Sequence, residues 1–128
     1  MQILIAAGEA TGFIGNATAD IPILSDDDFD TCSSNTCPIT LKSLVQIHTV
    51  LLPGPTRAGF NRSALQKYIL QQYVCAIRAR YVLGVPVIVM NAKDNPSNPI
   101  DRSEEITGEW IKTNYPRGLN YDYSTMTL

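Results

Sequence analysis

Three cysteines, a single histidine and a run of aspartates are the residues of this 128-residue chain best suited to chemistry. A thiol beside a histidine that an acid orients can carry nucleophilic catalysis. His48, with Cys32 or Cys37 and a carboxylate from Asp26-Asp27-Asp28-Phe29-Asp30, supplies the residue types for a small enzyme or ligand-binding domain. The spacing carries no such signature, and His48 falls in the middle of a predicted strand, where a structural histidine is the simpler reading. Cys32 and Cys37 flank the turn-forming stretch Ser-Ser-Asn-Thr, so they can bridge a small loop or stay as thiols. With Cys75 the count is odd and closes no disulfide framework. Zinc needs about four ligands at suitable spacing; Cys32, Cys37, Cys75 and His48 are the most the chain can offer, and the free-thiol reading is favoured. The aspartate run begins with the alternation of a calcium loop, yet Thr31 stands where the loop glycine belongs and no glutamate closes it. Consecutive carboxylates repel one another and prefer water, so a solvated loop is expected.

Gly8-Glu-Ala-Thr-Gly12-Phe-Ile-Gly15 follows a predicted first strand. It resembles the start of the extended short-chain dehydrogenases, whose glycines make a tight turn against a pyrophosphate. That resemblance implies a dinucleotide cofactor, and three departures set it aside. There is one residue too many between Gly8 and Gly12. The following Asn16-Ala-Thr-Ala-Asp20-Ile-Pro22 is a poor helix, so a phosphate would lack a helix N-terminus. The chain is also too short for a dinucleotide fold and a substrate domain together. No cofactor and no metal are therefore expected. Asn16-Ala-Thr18 and Asn61-Arg-Ser63 match the glycosylation pattern, which matters only in a secreted protein.

The elements that must position these residues alternate along the chain. Residues 2–6 read as a strand, and 20–24 as a short extended piece that Pro22 confines to an edge. Residues 8–39 form a long arm or loop ending at Pro38. Residues 40–52 read as a long half-buried strand, with Val45, Ile47, Thr49 and Leu51 on one face and Leu44, Gln46, His48, Val50 and Leu52 on the other. Pro53-Gly54-Pro55 ends it. Asn61 or Ser63 then caps a helix over about 62–83, with Gly84 as its stop. The apolar run 85–90 suits a strand covered on two faces. Asp101 starts a short helix that reaches about Thr113. Residues 119–127 alternate again and read as a final strand. The sum predicts one α+β domain over 1–128: a mixed sheet of about four to five strands, with the long helix packed on it and a second short helix.

On the long helix only Lys67, Gln71 and Arg78 mark a polar stripe, and apolar residues spread over more than half the circumference. An ordinary surface helix buries a narrower face, so a neighbouring subunit is the expected cover. Tyr68, Tyr73, Ile77, Arg80 and Tyr81 on the helix, with Tyr121 and Tyr123 near the end, are the expected interface residues. Tyrosine brings area together with a polar handle. Arg80 points into the apolar arc, where a guanidinium needs a partner.

Composition narrows the function classes. Hydrophobic residues make up 45% of the chain, which excludes disorder by composition, and charged residues only 17%, which leaves a surface that associates readily. A net charge of −2 disfavours binding to nucleic acid, which needs cations to displace counterions from phosphates. No stretch approaches the ~20 apolar residues of a membrane span, and the apolar start lacks the basic flank of a signal peptide. A cytoplasmic protein, or one assembled into a particle in the cytoplasm, is expected. The reading that follows is a non-enzymatic structural or assembly subunit of a homo- or hetero-oligomeric complex. Its partners are protein subunits, and its style is that of a small phage protein of capsid, neck or tail.

Overall fold

Asn61 is the residue on which the architecture turns, because a strand ends there and a helix begins. The computed structural model describes residues 15–82 and 95–126, and within the long helix the side chains as far as Gln72. Strand β1 (Thr49–Leu51) pairs antiparallel with β2 (Gly59–Asn61), matching Thr49 with Asn61, Val50 with Phe60 and Leu51 with Gly59. Helix α1 (Asp26–Asp30) precedes them, α2 (Arg62–Val82) follows β2 without a break, and α3 (Gly108–Asn114) lies further on. The Asn61 side chain accepts from the Ala64 N–H at 3.0 Å, filling one of the donor groups that a helix start leaves open. α1 and α3 are capped the same way, by Ser25 and Thr107.

The expected mixed sheet of four to five strands under a helix does not form. The described residues hold one two-stranded antiparallel sheet and three α-helices. The expected strands at 2–6 and 85–90 lie outside the described residues. The strand expected over 40–52 shrinks to Thr49–Leu51, preceded by a 3-10 helix, Gln46–His48. Competing bonds explain this. Gln46 donates to the Leu24 carbonyl and to Asp26, the Thr49 hydroxyl donates to the Val45 carbonyl, and Arg62 takes the Ile47 carbonyl. Backbone groups spent this way cannot join a ladder.

The final strand expected over 119–127 is also replaced, by turns and a 3-10 helix, Tyr123–Thr125, capped by Asp122. Ile111, Tyr115, Leu119 and Tyr123 are all fully buried. Their spacing of four residues, not the period of two, is the pattern that burial follows there. The short helix begins at Gly108, not at Asp101. Asn98 accepts from the N–H groups of Ile100 and Asp101, and Asp101 accepts from Ser103, which closes a local turn instead of opening a helix.

The core gathers Val50 and Phe60 from the sheet, Leu52 just after β1, Leu65 and Ile69 from α2, Ile111 from α3, and the Tyr115–Tyr123 turn. Rings pack edge to face from Trp110 through Tyr115 and Tyr123 to Tyr121. Polar groups cross this core. Arg62 is 1% exposed, and its guanidinium donates to the carbonyls of Pro22 (2.7 Å) and Ile47 (2.8 Å) and touches the Met126 sulfur. Its Nε–H has no partner. Burial lowers its pKa, against the opposing influence of Tyr115 and Tyr123. The Tyr115 hydroxyl returns the link by donating to the Arg62 carbonyl, and one turn on Gln66 donates to the carbonyls of Leu119 and Tyr121. Gly15 lies so close to the backbone of Pro116–Gly118 that a Cβ there would overlap it.

Two predictions follow from this packing. Gly15→Ala should lower stability by about 1–3 kcal/mol, because the overlap can be relieved only by moving the facing backbone; urea unfolding that gives the wild-type midpoint would contradict that approach. Burial pushes the Tyr123 hydroxyl up to about 12. Unfolded tyrosines lose their protons near pH 10, so the fold binds more protons above that pH and stability should fall as pH rises from about 10 to 12. Tyr123→Phe should make that fall shallower when unfolding is measured at pH 9 and pH 11. An unchanged slope would show that Tyr123 is not the group responsible.

Candidate functional site

The sequence-expected chemistry can be checked residue by residue. His48 is half-buried at the end of the Gln46–His48 turn, and its ring makes no hydrogen bond to Cys32, Cys37 or the aspartates. The Cys32 thiol donates to the Asp28 carbonyl at 3.5 Å, and burial raises its pKa, with Asp28 adding to the rise and Arg57 opposing it. Cys37 is fully buried, and its sulfur accepts from the Asn61 N–H at 3.3 Å. Burial pushes the Cys37 thiol up, but hydrogen bonds from Asn61, Thr40 and Ile39 outweigh it and hold the pKa below its ordinary value. Cys32 and Cys37 are free thiols, and the Cys75 side chain lies outside the described residues. Among the described residues no group of three or more His, Cys, Asp or Glu can hold a metal ion, and no helix is long and apolar enough to cross a membrane. Gly8 and Gly12 lie outside the described residues; Gly15 serves a close backbone approach to Pro116–Gly118.

The expected interface residues are distributed differently. Tyr68 is half-buried and donates to the Ser97 carbonyl at 2.7 Å. Tyr123 is wholly buried, donating to the Gly118 carbonyl and accepting from the Arg117 N–H. Tyr121 is half-buried beneath Arg117, whose guanidinium stands 5.1 Å from the ring centre and donates to the Tyr121 hydroxyl. These three tyrosines thus hold the chain's own segments together. The side chains of Tyr73, Ile77, Arg80 and Tyr81 lie outside the described residues.

Among the described residues the exposed large apolar side chains are Ile23, Ile39, Leu41, Val45 and Ile100, and three of them, Ile39, Leu41 and Val45, lie on the loop before β1. Thr36 and Ser43 form an antiparallel bridge, Cys37 N–H bonds the Lys42 carbonyl, and Leu41 N–H bonds the Cys37 carbonyl. A tight hairpin results, and Pro38 suits its first corner because it has no N–H to satisfy. Its outer flank is fixed at two points, by Ser33 N–H to the Arg57 carbonyl in the turn before β2 and by the β2 residue Asn61, whose N–H bonds the Cys37 sulfur. The tip presents Ile39 and Leu41, and Leu41 is 77% exposed with a left-handed φ of 60°. Such a backbone costs a non-glycine residue roughly 1–2 kcal/mol. Val45 follows, also exposed, and Gln46 ties the exposed Ile23 region to it through the Leu24 carbonyl and Asp26. Beside this apolar stretch stands α1. Asp28 pairs with Arg57 at 3.4 Å and Asp26 accepts from Gln46, whereas the side chains of Asp27 and Asp30 are exposed and make no bond among the described residues.

Sequence reasoning missed this surface because Leu41 and Val45 fit the period of a half-buried strand. The turn chemistry of Asn35-Thr36-Cys37-Pro38, directly before them, was the available signal. Comparison of the chain with protein-family models, with curated proteins and with solved structures finds no match.

The two thiols offer a direct check on this geometry. Under native conditions iodoacetamide should label Cys32 well before Cys37, because access outweighs the lower pKa of the buried sulfur. Peptide mapping that finds Cys37 labelled first would contradict the burial of the hairpin base.

Proposed function

We propose that the chain is a non-enzymatic structural subunit of a larger homo- or hetero-oligomeric assembly, and more specifically a component of a phage particle of the capsid, neck or tail type. The observation that carries the reading is the exposure of Ile23, Ile39, Leu41 and Val45 in two linked segments. Apolar area removed from water stabilises an association by roughly 25 cal/mol per Å², and a rigid hairpin loses little entropy when it docks. The low charged fraction, 17%, favours the same end. Protein partners fit this surface better than nucleic acid, since aspartates flank it and repel phosphate. A cytoplasmic protein or a particle assembled in the cytoplasm is the corresponding location. The phage form rests on the chain's general style alone.

An enzyme built on His48 needs that ring oriented by an acid or thiol, and among the described residues no hydrogen bond joins the ring to either. Light scattering on a sizing column, across a wide concentration range, tests the assembly reading. The expected mass is a stable multiple of the chain mass, unchanged by His48→Ala. A monomer at every concentration would remove the homo-oligomeric form of the proposal.

A further inference from the structure

Resting on the assembly reading, we propose that two copies of this chain pair about a two-fold axis, each seating its Ile39–Lys42 tip against the Ile23 and Val45 surface of the other, with Lys42 facing the other copy's Asp27 and Asp30. The first support is rigidity. Three backbone hydrogen bonds hold the hairpin: Cys37 to Lys42 and Leu44 to Asn35, which together make the Thr36–Ser43 bridge, and Leu41 to Cys37. The Lys42 N–H is further bonded by the Thr40 hydroxyl. The left-handed backbone of Leu41 closes the hairpin through its bond to Cys37, but its side chain, 77% exposed, gains little burial within its own chain. Strain of this kind persists where the surroundings impose it and use it.

The second support is charge complementarity. Lys42 is exposed at the tip and has no carboxylate partner among the described residues. Asp27 and Asp30 are exposed on α1 and have no cationic partner among the described residues, while the Asp28 beside them already holds Arg57. The tip is therefore apolar with one positive charge, and the neighbouring surface is apolar with three carboxylates, Asp26, Asp27 and Asp30, that no cation pairs among the described residues. Gln46 binds these two surfaces into one region by holding the 23–26 segment beside Val45. When knob and socket are neighbours on one molecule, a two-fold axis satisfies each of them twice and leaves no open end. An anionic membrane or nucleic acid would meet the aspartates unfavourably, and a net charge of −2 per chain sets little repulsion against a second copy.

Sedimentation velocity of the full chain at several concentrations, with three variants, tests the pairing. Leu41→Asn suits a left-handed backbone better than leucine does, so its thermal unfolding should match or exceed wild type while association weakens at least about tenfold, because an apolar side chain is lost from each copy. Lys42→Glu should weaken association about fivefold. Combining it with Asp27→Lys and Asp30→Lys should return association to near the wild-type value. A wild-type oligomer indifferent to all three variants would overturn this interface and leave the assembly reading standing. A wild-type monomer at the highest concentration would overturn the pairing together with the homo-oligomeric form of that reading.

Discussion

The buried guanidinium of Arg62 constrains the fold more than any other group. A charge removed from water is costly unless its donors are met, and Arg62 meets two backbone carbonyls instead of a carboxylate while its Nε–H stays unmet. Pro22 and Ile47 must therefore be brought to the start of α2, and Met126 closes over the same group. Tyr115 then fixes the Arg62 carbonyl from the far side. Truncating Arg62 would leave two inward carbonyls unpaired, each at about 1–3 kcal/mol. Gln66 repeats the device one turn later for Leu119 and Tyr121. The segments lacking regular structure are thus held by side chains of α2, in place of the ladders a larger sheet would have supplied.

The beginning of α2 was legible because Asn61 has the right chemistry for a cap and the residues after it favour a helix. The hydrophobic positions Leu65 and Ile69 were legible for the same reason. The sheet was not. Residues 40–52 alternate as a strand should, but alternation records only which side chains are apolar and not which carbonyls are claimed elsewhere. Gln46, Thr49 and Arg62 claim those of Leu24, Val45 and Ile47, and no local pattern announces this. The alternation of residues 119–127 misled in another way: two buried positions four apart, Leu119 and Tyr123, satisfy a period of two and a turn equally well. Asp101 illustrates the ambiguity of capping residues, since its carboxylate serves Ser103 in a turn as readily as it would serve a helix.

The candidate surface was illegible for a related reason. Exposure of Leu41 depends on the hairpin's turn, and the turn depends on Cys37 being anchored at Asn61, 24 residues away. Sequence reasoning singled out Arg80, whose side chain lies outside the described residues, and passed over Arg62; the apolar setting that Arg62 enters is assembled from distant segments and has no trace in a helical projection. The low charge of the chain was the one property that pointed toward association without any knowledge of place.

The cross-links made by these side chains span long stretches of sequence: 40 residues from Arg62 to Pro22, 53 from Gln66 to Leu119, and 98 from Arg117 to Ala19. Helix α2 can form early from local contacts, but desolvation of its first turn waits for loops of these lengths to close. During synthesis the helix emerges well before Leu119 and Tyr123. A nascent chain therefore carries an unfinished core face until the Leu119–Tyr123 segment, made well after the helix, seals it.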